Sequence, residues 1–171
     1  MRTEDVKQRR TKTPEQALTA LMRLCARAEK STGDARRLMR GWGVDEPAQE
    51  EVLRKLIGQR FIDDVRFAEA FVREKVNLSG WGAYKIRAAL SRKGIDRATV
   101  ERALAEVDPA QNAERLRQQL ARKMRSVKAA TAYELRTKLM RYGLSLGFDY
   151  ESVSEAVGAM IKNSGEECDI F

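Results

Sequence analysis

Histidine is absent from the chain, which removes the commonest general base and the commonest zinc ligand. The phosphate-binding patterns GxxxxGK[ST] and GxGxxG do not occur either. No pair of carboxylates stands in an apolar context that would push two pKa values apart. We therefore expect no enzymatic activity, no metal site and no cofactor.

Long apolar runs are also missing. None approaches the roughly 18 residues that cross a bilayer, and the first ten residues lack the apolar segment of a secretory signal. Cys25 and Cys168 lie far apart and in no metal-ligand spacing. We expect a cytoplasmic protein without membrane contact, with Cys25 as a buried thiol and Cys168 in a loose tail.

Proline is scarce, with three residues among 171, whereas alanine, leucine, arginine and glutamate are abundant. These abundant residues all have high helix propensity. Hydrophobic residues make up 43% of the chain and charged residues 34%, as in folded soluble proteins. The composition predicts an all-α protein.

A three-residue pattern of glycine, apolar residue and aspartate occurs three times, with spacings of 51 and 53 residues. In this pattern the glycine can end one helix, the apolar residue can pack back, and the aspartate can cap the next helix. Candidate caps at Ser31, Gly82 and Thr131 precede the glycines by 12, 12 and 16 residues, so the third copy contains about one extra helical turn. The three copies are Gly43-Val44-Asp45, Gly94-Ile95-Asp96 and Gly147-Phe148-Asp149.

The spacing predicts three tandem three-helix repeats, at residues 13–62, 63–108 and 109–163. Residues 1–12 are predicted to be a flexible basic arm, and residues 164–171 an acidic tail. Such short units are best stabilised by stacking, so we expect an elongated, curved arrangement. The alternative is a single nine-helix globule in which the repeated caps are common helix signals.

The central segments FIDDVRFAEAFVREK and KIRAALSRKGID, joined by a glycine-bearing loop, resemble the signature of the RecX family. Weaker similarity extends over roughly residues 14–160. The family consists of small bacterial proteins that regulate the RecA recombinase and are built of tandem three-helix repeats. The positions that agree in order and spacing are Asp63, Asp64, Arg66, Phe67, Ala68, Phe71, Arg73, Gly82, Ile86, Arg87, Leu90, Lys93, Gly94 and Ile95.

Positive charge is concentrated in the first two helices of the third repeat. Residues 109–141 contain nine basic and two acidic residues, whereas residues 142–171 contain one basic and six acidic residues. This excess predicts contact with a polyanion, either DNA phosphates or an acidic filament surface. The predicted contact residues are Arg115, Arg117, Arg122, Lys123, Arg125, Lys128, Arg136, Lys138 and Arg141.

A secondary set of basic residues falls within the family signature and has no evident role as cap or core. We expect these residues to be additional filament contacts, secondary to the third-repeat set. They are Arg66, Arg73, Lys85, Arg87, Arg92 and Lys93.

Aromatic residues make up only 6% of the chain, which favours phosphate contact over base stacking. Trp42 and Trp81 stand beside glycines, and Tyr84 and Tyr133 each follow a candidate cap by two residues. We interpret all four as packing between repeats. Short helices joined at glycine also suit a helix-turn-helix motif, but no single helix has the composition of a recognition helix.

The resemblance implies that the protein binds RecA and its filament on single-stranded DNA. It also implies inhibition of ATP hydrolysis and strand exchange, with weak nucleic-acid binding of its own. We expect a monomer. Two alternatives remain: a stand-alone nucleic-acid-binding protein that contacts phosphates, and a helical scaffold for another protein.

Overall fold

The computed structural model of the chain describes residues 11–166, and the side chains of residues 11–162. Within that range it has nine helices and no strand, which confirms the prediction of an all-α protein built of three-helix repeats. The helices are α1 (Pro14–Arg27), α2 (Thr32–Gly41), α3 (Glu46–Gly58), α4 (Asp64–Asn77), α5 (Ala83–Arg92), α6 (Arg97–Ala105), α7 (Pro109–Ser126), α8 (Ala132–Ser145) and α9 (Tyr150–Glu166).

The aspartates that follow the glycines behave unequally as helix caps. Asp96 accepts from the Thr99 amide at 2.9 Å, and Asp149 accepts from the Ser152 amide at 2.8 Å. Asp45, in contrast, makes no side-chain cap hydrogen bond, so the prediction is wrong there. Asp96 and Asp149 accept from the third residue of their helices, and the hydroxyl of that residue also donates to the carboxylate, whereas the third residue of α3 is Ala48, which has no hydroxyl.

The candidate cap at Thr131 forms an incomplete capping box at the start of α8, whereas the candidate cap at Ser31 forms a complete one at the start of α2. Thr131 accepts from the Glu134 amide at 3.1 Å, but the Glu134 carboxylate accepts from the Ala130 amide instead of from Thr131. Ser31 and Asp34 exchange both bonds. The shorter aspartate therefore completes a capping box where the longer glutamate does not.

The three glycines predicted to end helices have a left-handed backbone. Their φ angles are +71° at Gly43, +77° at Gly94 and +91° at Gly147. This region is costly for residues with a Cβ. The conformation ends α2, α5 and α8 and directs the chain into α3, α6 and α9.

The chain divides into two compact units. The first contains the described chain up to Ala68 together with Ser91–Thr99, and the second contains Glu69–Leu90 and the described chain from Val100. The first has a core around Leu21, Met39 and Leu56, against which the half-buried Cys25 packs. The elongated, curved arrangement of the repeats stays a prediction.

The ends of the described chain bear on the predicted arm and tail. The Lys12 amide donates to the Trp42 carbonyl at 3.0 Å, and its ammonium lies 5.2 Å from the Trp42 ring centroid. Helix α9 continues to Glu166, into the segment predicted as tail. Residues 1–10 and 167–171, including Cys168, lie outside the described residues. None of the helices between residues 11 and 166 is long and apolar enough to cross a membrane.

The helices of the third repeat are longer than their counterparts. Helix α7 has 18 residues against 14 in α1 and α4, and α8 has 14 against 10 in α2 and α5. Buried Leu139 and Gly143 precede Gly147 by eight and four residues, as Ile86 and Leu90 precede Gly94. The extra turn of α8 therefore lies at its start, where the 127–131 loop joins it to α7.

Candidate phosphate-binding surface

The start of α2 is joined to the end of α5 within the first unit. The Ser31 hydroxyl donates to the Lys93 carbonyl at 2.7 Å, and the Lys93 ammonium pairs with Asp34 at 3.2 Å. A Cβ on Gly33 would lie 2.1 Å from the Lys93 carbonyl oxygen, so only glycine permits this approach. Lys93, a predicted secondary contact, is therefore used in a joint between repeats.

The carboxyl of Asp34 is nearly buried in this joint. Burial alone would raise its pKa, but Lys93, the Ser31 amide and Arg37 outweigh burial, and the pKa lies below its ordinary value. The aspartate is thus held in its charged form by the next repeat. The charge is part of the joint and is not available to an external ligand.

The start of α5 is joined to the end of α8 within the second unit, through backbone groups. The Gly82 amide donates to the Leu146 carbonyl at 2.8 Å, and the Tyr84 amide donates to the Gly147 carbonyl at 3.0 Å. A Cβ on Gly82 would lie 2.3 Å from the Gly147 oxygen. Lys85 lies over the Trp81 ring at 4.6 Å and donates to the Ser145 carbonyl at 3.4 Å. Like Lys93, Lys85 has structural partners.

The secondary set divides into residues with and without such partners. Arg66 pairs with Glu29 at 2.8 Å, and Arg87 pairs with Glu101 at 2.6 Å, each through two hydrogen bonds. Bidentate contact to glutamate leaves little of either guanidinium for a phosphate. Arg73 and Arg92 are exposed and have no side-chain partner among residues 11–162.

Four residues of the third-repeat set also have partners. Arg115 donates to Asn77 at 2.7 Å, and Arg117 pairs with Glu114 at 2.9 Å. The Lys123 ammonium lies 5.3 Å from the Tyr142 ring centroid. Lys138 pairs with Glu134 and donates to the Lys128 carbonyl at 2.6 Å. These contacts hold the helices and the 127–131 loop together.

The other five residues of that set are exposed and have no side-chain partner within the described chain. Arg122, Arg125 and Lys128 follow one another along the end of α7 and into the loop, and Arg136 lies in the second turn of α8. Arg122 and Arg136 are each four residues from the helix ends that the loop connects, so they lie at the same level of the α7–α8 hairpin. We call Arg122, Arg125, Lys128 and Arg136 the basic corner; Arg141 is the fifth residue and lies further along α8.

Apolar contacts support the α7–α8 hairpin that carries the basic corner. Met124 on α7, Leu135 on α8 and Met160 on α9 pack against the core of the third repeat. This core contains Leu116, Leu120, Leu139 and Val153, which are almost completely buried. The basic corner is therefore displayed on packed helices.

The basic corner has no free acid of its own to neutralise it. Between residues 122 and 138 the chain has six basic residues and one acid. That acid, Glu134, is engaged with Lys138 and the Ala130 amide, and Lys138 is the main reason that its pKa is lowered. A surface with unpaired charges of one sign attracts counter-ions, and a polyanion can replace several of these at once.

One ion pair distinguishes the first two repeats from the third. In each of the first two, an arginine seven residues before the glycine pairs with a glutamate seven residues after it: Arg36 with Glu50, and Arg87 with Glu101. The same positions around Gly147 hold Met140 and Ser154. The third repeat therefore has no glutamate at the place where its predecessors neutralise an arginine.

The four aromatic residues predicted to pack between repeats differ in their surroundings: the two tryptophans pack within their own repeats, and the two tyrosines are exposed. Trp42 packs against the first core, and the Trp81 ring meets the edge of Phe71 at 6.4 Å between centroids. Tyr84 and Tyr133, however, are 62% and 80% exposed. Both are the second residue of a helix. Tyr84 meets the next repeat through its backbone amide, which donates to the Gly147 carbonyl.

A groove of about 320 Å³ lies beside Trp81 in the second unit. It is lined mainly by apolar side chains, and Arg87 and Glu101 meet at its wall. Because that pair is neutral as a whole, the groove adds no free positive charge. The basic corner is the stronger candidate for an anionic ligand.

These observations define the class of the protein: a tandem three-helix-repeat protein with an extended third repeat that carries a cluster of unpaired basic residues. Comparison with known families gives the same repeats. Residues 63–104 match the second three-helix domain of RecX, and residues 110–157 match the third. The chain belongs to the RecX family.

Relatives bear the name regulatory protein RecX. One from Prosthecochloris aestuarii is 30% identical over 135 residues, covering 79% of this chain and 87% of the relative. One from Geobacillus thermodenitrificans is 39% identical over 111 residues, covering 63% of this chain and 41% of the relative. One from Halalkalibacterium halodurans is 29% identical over 139 residues, covering 81% of this chain and 52% of the relative. The chain spans about half the length of the last two relatives.

Two crystal structures of RecX proteins share the fold. One has a TM-score of 0.77 at 24% identity, covering 88% of this chain and 73% of the other. The second, from Lactobacillus salivarius, has a TM-score of 0.73 at 22% identity, covering 85% and 95%. At these identities the likeness supports the arrangement of helices within repeats, and not a shared binding site.

Proposed function

We propose that this protein binds RecA and its filament on single-stranded DNA and inhibits recombinase and ATPase activity in DNA repair and recombination. The observation that carries the proposal is the match of the second and third repeats to RecX domains. The basic corner supplies a surface on which the binding can occur. Three unpartnered arginines on packed helices and Lys128 on the adjoining loop suit contact with DNA phosphates and with acidic filament surface.

The chemistry of the basic corner favours phosphates over base edges as its main contact. Arginine and lysine bind phosphate oxygens without reading sequence, and each contact releases condensed counter-ions. Binding should therefore weaken steeply with salt. For single strands, the logarithmic slope is about 0.7 per phosphate neutralised.

The test uses preformed RecA filaments on single-stranded DNA, with ATP hydrolysis measured as the protein is titrated in at sub-stoichiometric ratios. The test variant carries Arg122→Glu, Arg125→Glu and Arg136→Glu. The matched control carries Arg23→Glu, Arg27→Glu and Arg40→Glu, three exposed arginines of the first repeat with no side-chain partner in the described chain. Both variants change the net charge equally.

We expect the wild-type protein to suppress hydrolysis well below the ratio at which it could coat the DNA. The corner variant should need about tenfold more protein and lose about two units of salt slope, as expected for three phosphate contacts. The control should stay within about twofold of wild type. Equal losses in both variants would show a general charge effect and remove the basic corner from the mechanism.

A second candidate is a stand-alone nucleic-acid-binding protein, favoured by the unpartnered cations themselves. In that case hydrolysis would fall only at ratios that coat free DNA, and binding to DNA alone would account for the whole effect. Absence of both DNA binding and an effect on RecA would instead favour a helical scaffold for another protein.

A further inference from the structure

Tyr133 is a large exposed ring beside the basic corner. It is the second residue of α8, 80% exposed, five residues after Lys128 and three before Arg136. Neither its ring nor the Arg136 guanidinium contacts a partner among the described side chains. The packing interpretation offered by the sequence leaves the ring unexplained, since nothing in the described chain covers it.

The start of α5 offers an internal comparison. There too a tyrosine is the second helical residue and an arginine follows three residues later, as Tyr84 and Arg87. The Arg87 guanidinium lies 5.7 Å from the Tyr84 ring centroid and is held by Glu101. The arginine of this pair thus has an acidic partner at α5, where we call the pair closed. At α8 neither side chain has a partner among the described side chains, and we call the pair open.

We propose that Tyr133 and Arg136 form a stacking site for an unpaired base of single-stranded nucleic acid, while the rest of the basic corner holds the flanking phosphates. An exposed ring beside unpaired cations is the combination that single-strand-binding surfaces use, because every base has a π-face. The stacked base can also meet the guanidinium plane of Arg136. This inference rests on the nucleic-acid contact of the proposed function and adds a preference for single strands.

The geometry explains why a base-paired strand would be a poorer ligand. In a duplex both faces of each base are already stacked, so Tyr133 can gain contact only where a base is free. Stacking contributes no counter-ion release. Its loss should therefore lower affinity without changing the salt slope, which separates it from the loss of an arginine.

The experiment measures the affinity of the RecA-free protein for a fluorescent oligothymidylate and for an abasic strand with the same number of phosphates. The variants are Tyr133→Ala, Tyr133→Phe and, as the matched control, Tyr84→Ala. Because both tyrosine rings are exposed, circular dichroism should show all three variants folded. Each variant is titrated at several salt concentrations.

We expect Tyr133→Ala to lower affinity for oligothymidylate about tenfold, within the range for loss of one stacked base. Affinity for the abasic strand and the salt slope should not change. Tyr133→Phe should retain wild-type affinity because the ring remains, and Tyr84→Ala should stay within about twofold. These results would support base stacking at Tyr133.

Equal losses on the two strands, or a loss in Tyr133→Phe as large as in Tyr133→Ala, would overturn the stacking site. A similar loss of affinity for oligothymidylate in Tyr84→Ala would also overturn it, because the tyrosine beside the paired Arg87 would then contribute as much as the tyrosine beside the unpaired Arg136. The assay contains no RecA. A failure of the filament experiment with a positive result here would therefore overturn the proposed regulation and leave the stacking site in place.

Discussion

The starts of α5 and α8 carry the same residue types in different surroundings. At α5 the helix start lies against Gly147 and the nearby arginine is neutralised by Glu101. At α8 one additional turn extends the helix, and its arginine has no partner within the described residues. The comparison teaches that a repeat whose helix start is extended by one turn can present the same residue types on a free surface.

The largest effect should follow from disturbing the closed helix start. In Gly82→Ala the new Cβ would lie 2.3 Å from the Gly147 carbonyl, a backbone atom that cannot move without opening the joint. We expect the free energy of unfolding to fall by about 2–4 kcal/mol, in the range of mutations that overpack a core. Urea unfolding followed by circular dichroism measures the change.

The corresponding residue of the open helix start provides the control. Thr131→Ala removes one cap hydrogen bond and should cost about 1 kcal/mol, since no neighbouring repeat presses on it. Should Gly82→Ala unfold at the urea concentration of the parent protein, the close approach of Gly82 to Gly147 would not contribute to stability.

A smaller effect, dependent on pH, should distinguish the charged joint at α2 from the backbone joint at α5. The folded-state pKa of Asp34 is lowered, so its contribution is present above the ordinary aspartate pKa of about 4 and is lost as pH falls through the lowered value. Asp34→Asn should therefore destabilise the protein by about 1–3 kcal/mol at pH 7 and by much less at pH 2.

The measurement is urea unfolding of wild type and Asp34→Asn at both pH values. Ser152→Ala serves as a control for a carboxylate outside the joints, because it removes a hydrogen bond to Asp149 and not to Asp34. An equal difference between wild type and Asp34→Asn at pH 7 and pH 2 would contradict the role of the charged carboxylate.

The smallest expected effect comes from removing the acidic partner of Arg87 at the start of α5. Glu101→Gln removes the negative partner of Arg87, and because both side chains are about 40% exposed the unfolding free energy should fall by less than about 1 kcal/mol. The released Arg87 and Tyr84 should then raise affinity for oligothymidylate by about twofold. Fluorescence anisotropy with the same labelled strand detects this gain.

Glu50→Gln is the matched variant in the first repeat. It frees Arg36 in the same way, but the second residue of α2 is Gly33, so no ring accompanies the arginine. We expect a similar small loss of stability without a gain in binding. A gain of equal size in Glu50→Gln would mean that charge alone, and not the ring, accounts for the effect.

Local chemistry made much of the fold predictable from sequence. Glycine at Gly43, Gly94 and Gly147 meets a backbone requirement that few other residues satisfy, and aspartate at Asp96 and Asp149 caps amides within three residues. Such signals act over a few positions and can be read directly. The exception at Asp45 is equally local, since Ala48 has no hydroxyl to donate to it as Thr99 and Ser152 donate to Asp96 and Asp149.

The candidate site was less predictable because pairing is decided by distant residues. Arg66 meets Glu29 across 37 positions and Arg115 meets Asn77 across 38, so neither neutralisation is visible in the nearby sequence. One related difference was visible: the positions seven residues before and after the glycine hold arginine and glutamate in the first two repeats, but Met140 and Ser154 in the third. The exposure of Tyr133 had no comparable sequence signal.

The joints between repeats also set an order of events during synthesis. The Ser31 hydroxyl meets the Lys93 carbonyl 62 positions later, and the Lys85 ammonium meets the Ser145 carbonyl 60 positions later. At the elongation rates of ribosomes, about 5–20 residues per second, each helix start waits roughly 3–12 seconds for its partner to be made. The first and second repeats are thus each completed by their successors, and both joints are unfinished while the chain between Lys85 and Lys93 is being made.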